Sequence, residues 1–190
     1  MATLFLQQIE ATVVVHDLRN FSTLAVQLGA VDLGIVLSRF YEHVQAGIEP
    51  HGGRLVKFIG DAVMSVFIGA GESDHRGAAL ESLRTTLRQR EAWLHENAER
   101  GLPVLDYSSA AASGEVLAGD VGTSKLRFYD VLGEPANIAF RLVGIATDRH
   151  VSHLVTADAY EHAQARPPGI EVDPIELGGK RIRLYRLELL

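Results

Sequence analysis

Two aspartates stand where carboxylates could do chemistry. Asp17 ends the apolar run Ala11-Thr12-Val13-Val14-Val15-His16-Asp17, and Asp61 lies in Lys57-Phe58-Ile59-Gly60-Asp61-Ala62-Val63-Met64, between two further apolar runs. Both acids are thereby placed at strand ends, where a side chain leaves the sheet and meets solvent or ligand. Brought together in space, they form a site for a hard dication such as Mg²⁺ or Mn²⁺. Ions held that way are the usual means of doing chemistry on a nucleotide polyphosphate. Taken singly, each has a plainer reading: Asp17 as the cap of a helix start, Asp61 as a turn residue.

Other polar residues divide into candidates and bystanders. Asn137 and Arg141 are four apart in a helical stretch and share a face; in isolation they read as an exposed polar pair. His16, just before Asp17, reads as a half-buried histidine with its ring satisfied rather than as a ligand. His150 and His153 lack the companions of a zinc pattern and read as surface. Gly119 to Lys125 lacks the Gly-Lys-Ser/Thr ending of a P-loop.

The elements that must hold these residues follow from periodicity. Residues 11–17 read as a buried strand. Leu33, Val36, Leu37, Phe40, Tyr41, Val44 and Ile48 recur at helical spacing, and Pro50 with Gly52-Gly53 stops that helix. Leu55 to Ile59 and Ala62 to Ile68 read as strands joined by Gly60-Asp61, the pattern of a type II′ hairpin with Asp61 at its tip. Residues 74–99 predict one amphipathic helix, with Leu80, Leu83, Leu87 and Leu94 on one side. Val104 to Val116 reads as a strand rich in small residues, Gly114 to Gly122 as a turn or bulged ribbon, and Phe128 to Leu132 as a short strand. A helix over 134–146 accepts Pro135 in its first turn. Val151 to Thr156, a short helix over 157–164, and two strands around Gly178-Gly179 complete the chain. Helices and strands alternate, but hairpins interrupt the alternation, which favours an α+β sandwich with helices on a mixed or antiparallel sheet.

Bulk properties narrow the partners. The chain has 190 residues, a net charge of −6 and no cysteine. That length suits a single domain, 1–190, with a real core. The negative charge argues against nucleic acid as a partner. Absence of cysteine excludes disulfides and thiolate metal sites and fits a reducing, cytoplasmic setting. The first residues, Met1 to Gln8, have no basic region or long apolar core of a signal peptide. No run reaches the length of a membrane span, so no membrane contact is expected from this chain.

Four segments in order resemble the class III adenylate/guanylate cyclase catalytic domain. Asp17-Leu18-Arg19-Asn20-Phe21-Ser22 is similar to that family's D-I-R-G-F-T. His51-Gly52-Gly53 followed by Lys57 to Met64 is similar to its H-G-G…K-F-I-G-D-A-V-M. Gly119-Asp120-Val121-Gly122 resembles G-N-V-G, and Tyr129 to Leu142 resembles Y-D-V-x-G-x-x-V-N-x-A-x-R-L. The resemblance spans residues 11–186. It implies a ferredoxin-like α+β core acting as a homodimer with shared active sites, and conversion of ATP or GTP to a 3′,5′-cyclic monophosphate and pyrophosphate. It implies that Asp17, Asp61 and the carbonyl of Leu18 hold two Mg²⁺ or Mn²⁺ ions, and that Phe21 contacts substrate. Lys57 and Asp130 match the positions that select the base: a lysine donates to adenine N1 and a carboxylate accepts from its amino group, which favours ATP over GTP. Asn137 and Arg141 match the pair that orients the ribose and neutralises charge on the α-phosphate.

Two positions depart from the pattern. The family's R-x-G-I-H-x-G aligns with Ser108 to Gly114, so a phosphate-binding arginine becomes Ser108. The family's L-K-G-K aligns with Leu177-Gly178-Gly179-Lys180, so a phosphate-binding lysine becomes Gly178. Each lost charge-assisted hydrogen bond costs about 1.5–3 kcal/mol, with Lys180, Arg181 and Lys125 as nearby substitutes. The expectation is an adenylate cyclase with weakened triphosphate binding; the alternative is a regulatory cyclase-like module that binds nucleotide or a partner and catalyses little. The chain contains no Gly-Gly-Asp/Glu-Glu-Phe sequence, which argues against a diguanylate cyclase.

Overall fold

The computed structural model of the chain describes residues 5–69 and 73–189. Met1 to Leu4, part of the N-terminal stretch read above, lie outside the described residues. In chain order the elements are β1 (Phe5–Leu18), α1 (Phe21–Ala25), α2 (Ala30–Ile48), β2 (Arg54–Ile59), β3 (Ala62–Ile68), α3 (His75–Arg88), α4 (Arg90–Glu99), β4 (Tyr107–Gly122), β5 (Arg127–Leu132), α5 (Glu134–Asp148), β6 (His153–Thr156), α6 (Ala157–Glu161), β7 (Gly169–Leu177) and β8 (Lys180–Leu187). One mixed sheet runs in the order β2-β3-β1-β4-β6-β8-β7, with β5 paired to the outer half of β4. The β4–β6 pairing is parallel; the others are antiparallel. No helix among the described residues is long and apolar enough to cross a membrane.

Helices cover both faces of this sheet. Val14, Leu18, Val63, Phe67 and Tyr107 pack with residues of α2, α3 and α4 in one core. Val13, Val15, Ala62, Met64, Ala110 and Ala112 pack with α5 in the other. That is why Ala11 to His16 is fully buried without alternation. Each valine buried there contributes about 1.5–3 kcal/mol. The small residues of β4 face the small residues Ala136, Ala139 and Ala146 of α5, so that helix and sheet approach closely.

Three local readings are corrected. The stretch predicted as one helix over 74–99 breaks at Gln89, which ends α3 and starts α4. After the break Trp93 turns into the core and Leu94 packs only partly. Gly114 to Gly122 is not a turn: β4 runs through it, paired first to β1 and then to β5. The chain reverses later, where Thr123 N donates to Leu126 O at 2.7 Å. His153 is buried, not on the surface; its Nε2 accepts from Leu187 N at 2.7 Å.

A bulge in β2 matters for the site. Register shifts between Leu55 and Lys57, so Arg54 opposes Val66 and Lys57 opposes Met64. Strict alternation puts residues three apart on opposite faces; the extra residue, Val56, returns Arg54 and Lys57 to the same face.

Candidate active site

The β1–β3 ladder brings the two aspartates together. Asp17 opposes Ala62, and Leu18 N donates to Asp61 O at 3.2 Å. The two carboxyl groups are close enough for the charge of Asp61 to act on Asp17. Burial first, then the nearby carboxyl of Asp61, push the Asp17 carboxyl up to about 7. Gly60 has φ 60° while Asp61 is not at positive φ, as a type II′ turn requires. Tyr41 of α2 braces the tip: its hydroxyl donates to Gly60 O and its ring stacks on Phe58 at 4.1 Å between centroids. Two carboxyl groups crowded together at a strand end are a chemical fit for hard divalent ions, whose positive charge would offset their mutual repulsion. Among the described residues no cluster of three or more His, Asp or Glu forms around a metal-sized space, so remaining ligands would be carbonyls, phosphate oxygens or water.

Beyond Leu18 the chain turns through Asn20 at φ 58°. The resembling motif has Gly here, and Asn is among the residues that best tolerate this left-handed geometry. Phe21 opens α1 and is partly buried against the core shared with α2 and α3.

The β2 bulge and β5 bring a second pair together. Lys57 Nζ lies 2.7 and 2.8 Å from the two carboxylate oxygens of Asp130. Asp130 is only 6% exposed, and its Oδ1 also accepts from Val131 N at 2.8 Å. An ammonium has three N–H groups. With two given to Asp130, the pair still presents one donor beside one carboxylate acceptor. Asn137 and Arg141 form a third pair, exposed one turn apart on α5 with no side-chain partner among the described residues. Among the described residues, no hydrogen bond or ion pair joins one of these three pairs to another.

The two departures have structural reasons. Ser108 is fully buried opposite Asp17, with Thr147 Oγ1 donating to its Oγ at 2.8 Å. Arg19 Nε donates to the same Oγ at 2.8 Å, and the guanidinium also binds Asp106 and the Val151 carbonyl. A cation therefore stands beside Ser108, delivered from the end of β1. Its nearness to Asp17 in sequence was the available signal; its direction was not. Gly178 and Gly179 make the β7–β8 turn at φ 58° and 76°, a conformation a lysine would adopt only with strain. Lys180 is paired to Glu134 at 2.7 Å. His16 is fully rather than half buried; its Nδ1 meets Ser109 Oγ at 2.7 Å, while Nε2 has no partner.

The adenylate and guanylate cyclase catalytic domain family matches residues 6–188 of the chain. The chain belongs to that family. An uncharacterised protein of Mycobacterium tuberculosis is 27% identical over 154 residues, covering 80% of this chain and 27% of that protein. Adenylate cyclase 1 of Rhizobium meliloti is 24% identical over 165 residues, covering 84% of this chain and 25% of that protein. The chain thus spans about a quarter of the length of these curated relatives. Among solved structures, a bacterial light-regulated adenylyl cyclase superposes with a TM-score of 0.87 at 24% identity, covering 98% of this chain and 54% of that one. The guanylyl cyclase Cya2 superposes with a TM-score of 0.77 at 20% identity, covering 94% and 91%. These likenesses establish the fold as that of class III cyclase catalytic domains.

Proposed function

We propose that this domain converts ATP to 3′,5′-cyclic AMP and pyrophosphate, at sites completed by a second copy of the chain. The observation that carries the reading is the meeting of Asp17 and Asp61 at one end of the β1–β3 ladder, where Leu18 N donates to Asp61 O and the charge of Asp61 acts on Asp17. They and the Leu18 carbonyl would hold two divalent ions, Mg²⁺ or Mn²⁺, which supply activation of the ribose hydroxyl and charge neutralisation at the phosphates. Lys57 gives its free N–H to adenine N1, and Asp130 accepts from the adenine amino group. Asn137 orients the ribose. Arg141 neutralises charge that builds on the α-phosphate as the 3′ oxygen bonds to phosphorus. The bond from α-phosphorus to the bridging oxygen breaks, pyrophosphate leaves, and the hydroxyl proton passes to solvent.

A second copy is part of this reading because no hydrogen bond or ion pair among the described residues joins the three pairs within one chain. Exposed Phe58, Ile59, Leu117, Leu126, Phe128 and Leu132 supply apolar surface of the kind an interface covers. The test is direct: ATP and GTP are compared side by side with Mn²⁺. Cyclic AMP formed in preference to cyclic GMP, and lost in Asp17→Ala, supports the reading; preference for GTP refutes the base assignment. The missing cations at Ser108 and Gly178 favour a second reading, a module that binds nucleotide or a protein partner with little turnover. Nucleotide binding without either product at high protein concentration would select it.

A further inference from the structure

We infer that Arg54 and Tyr129 are positioning residues that hold the base-selecting pair, Lys57 and Asp130, in register. This rests on the cyclase reading above for its consequence, though not for its geometry. Among the described residues, Lys57 belongs to β2, which pairs only with β3, and Asp130 to β5, which pairs only with β4. Among the described residues no backbone ladder joins the two strands directly, and two side-chain ties cross between them. One is the Lys57–Asp130 ion pair. The other is Arg54, whose guanidinium carbon lies 3.5 Å from the centroid of the Tyr129 ring.

Tyr129 and Asp130 are successive residues of β5, so the two contacts lie one residue apart along that strand, across the same gap. They differ in what a nucleotide does to them. The ion pair consists of the groups that also turn a donor and an acceptor toward a purine edge, so its charge is shared with the base. The Arg54–Tyr129 stack donates nothing to the base and survives its arrival. A guanidinium on an aromatic face is attracted by the ring quadrupole and needs no hydroxyl. The stack therefore keeps the donor and acceptor at the spacing that adenine needs while the lysine, on its flexible stem, is recruited to N1.

The test uses Arg54→Ala, Tyr129→Leu, Tyr129→Phe and the Arg54→Ala/Tyr129→Leu double variant in the whole chain. Kinetics with ATP and GTP are read beside amide hydrogen exchange over Arg127–Leu132. Arg54→Ala and Tyr129→Leu should each raise KM for ATP about tenfold, change kcat less than threefold and narrow the preference for ATP over GTP. Exchange over β5 should quicken about tenfold in both. Tyr129→Phe, which keeps the ring face, should restore KM, selectivity and protection, and the double variant should be no worse than either single one. Tyr129→Phe as damaging as Tyr129→Leu, additive losses in the double variant, or unchanged exchange in Arg54→Ala would overturn the inference. If the unaltered chain forms no cyclic nucleotide, the cyclase reading fails, while the exchange comparison still decides whether the stack ties β2 to β5.

Discussion

At the scale of single residues, the site consists of groups whose chemistry is set by one neighbour each. Asp17 and Asp61 are legible in sequence because each ends an apolar run; their contact follows once those runs pair. Replacing either with Asn keeps shape and removes the acid. Asp17→Asn and Asp61→Asn should each lower cyclic AMP formation at least a hundredfold. Each should also abolish the rise in melting temperature that Mn²⁺ gives the unaltered chain, a readout independent of turnover. Lys57→Glu should shift preference from ATP toward GTP, measured as the ratio of kcat/KM values; an unchanged ratio would remove Lys57 from base selection. Arg19 and Tyr41 were not legible as parts of the site. A motif gives the position of an arginine or tyrosine along the chain, but the guanidinium of Arg19 and the hydroxyl of Tyr41 act on Ser108 and Gly60 from other elements.

Among the elements, strands were read more faithfully than their irregularities. The run from Ala11 to Asp17 and the Gly60-Asp61 hairpin follow from composition and turn chemistry alone. The β2 bulge, the break at Gln89 and the passage of β4 through Gly114 and Gly119 depend on what packs across them, which periodicity does not contain. The same packing explains why a lost arginine is not simply restored. Ser108 lies beneath α5 with its oxygen already engaged by Arg19 and Thr147. Ser108→Arg should therefore destabilise the fold by at least about 1–3 kcal/mol through overpacking, read by urea denaturation, and should not improve the KM for ATP. His153 makes a second element-scale prediction, since it joins β6 to Leu187 in β8. Burial, the first cause, and nearby Arg186 lower its pKa to about 4. In the unfolded chain it titrates near its ordinary value of 6.5, so the unfolded state binds more protons in between. Stability should fall as pH drops from about 6.5 to 4. In His153→Gln the slope of unfolding free energy against pH should flatten, with the buried His16 and the half-buried His43 still contributing part of it.

For the whole molecule, no hydrogen bond or ion pair among the described residues joins the three functional pairs, and exposed apolar residues flank the strands that carry one of them. The resemblance read from four ordered segments implied shared sites; composition and periodicity alone gave only an α+β domain of the right size. The account stands or falls on two copies supplying complementary halves of a site that cyclises ATP. Asp17→Ala and Arg141→Ala variants, each inactive alone, are mixed under conditions where subunits exchange, and cyclic AMP is measured. In a two-fold dimer half the mixed population is heterodimeric with one intact site, so activity should return to roughly a quarter of the unaltered level. No recovery, with heterodimers demonstrated in the same sample, would contradict it.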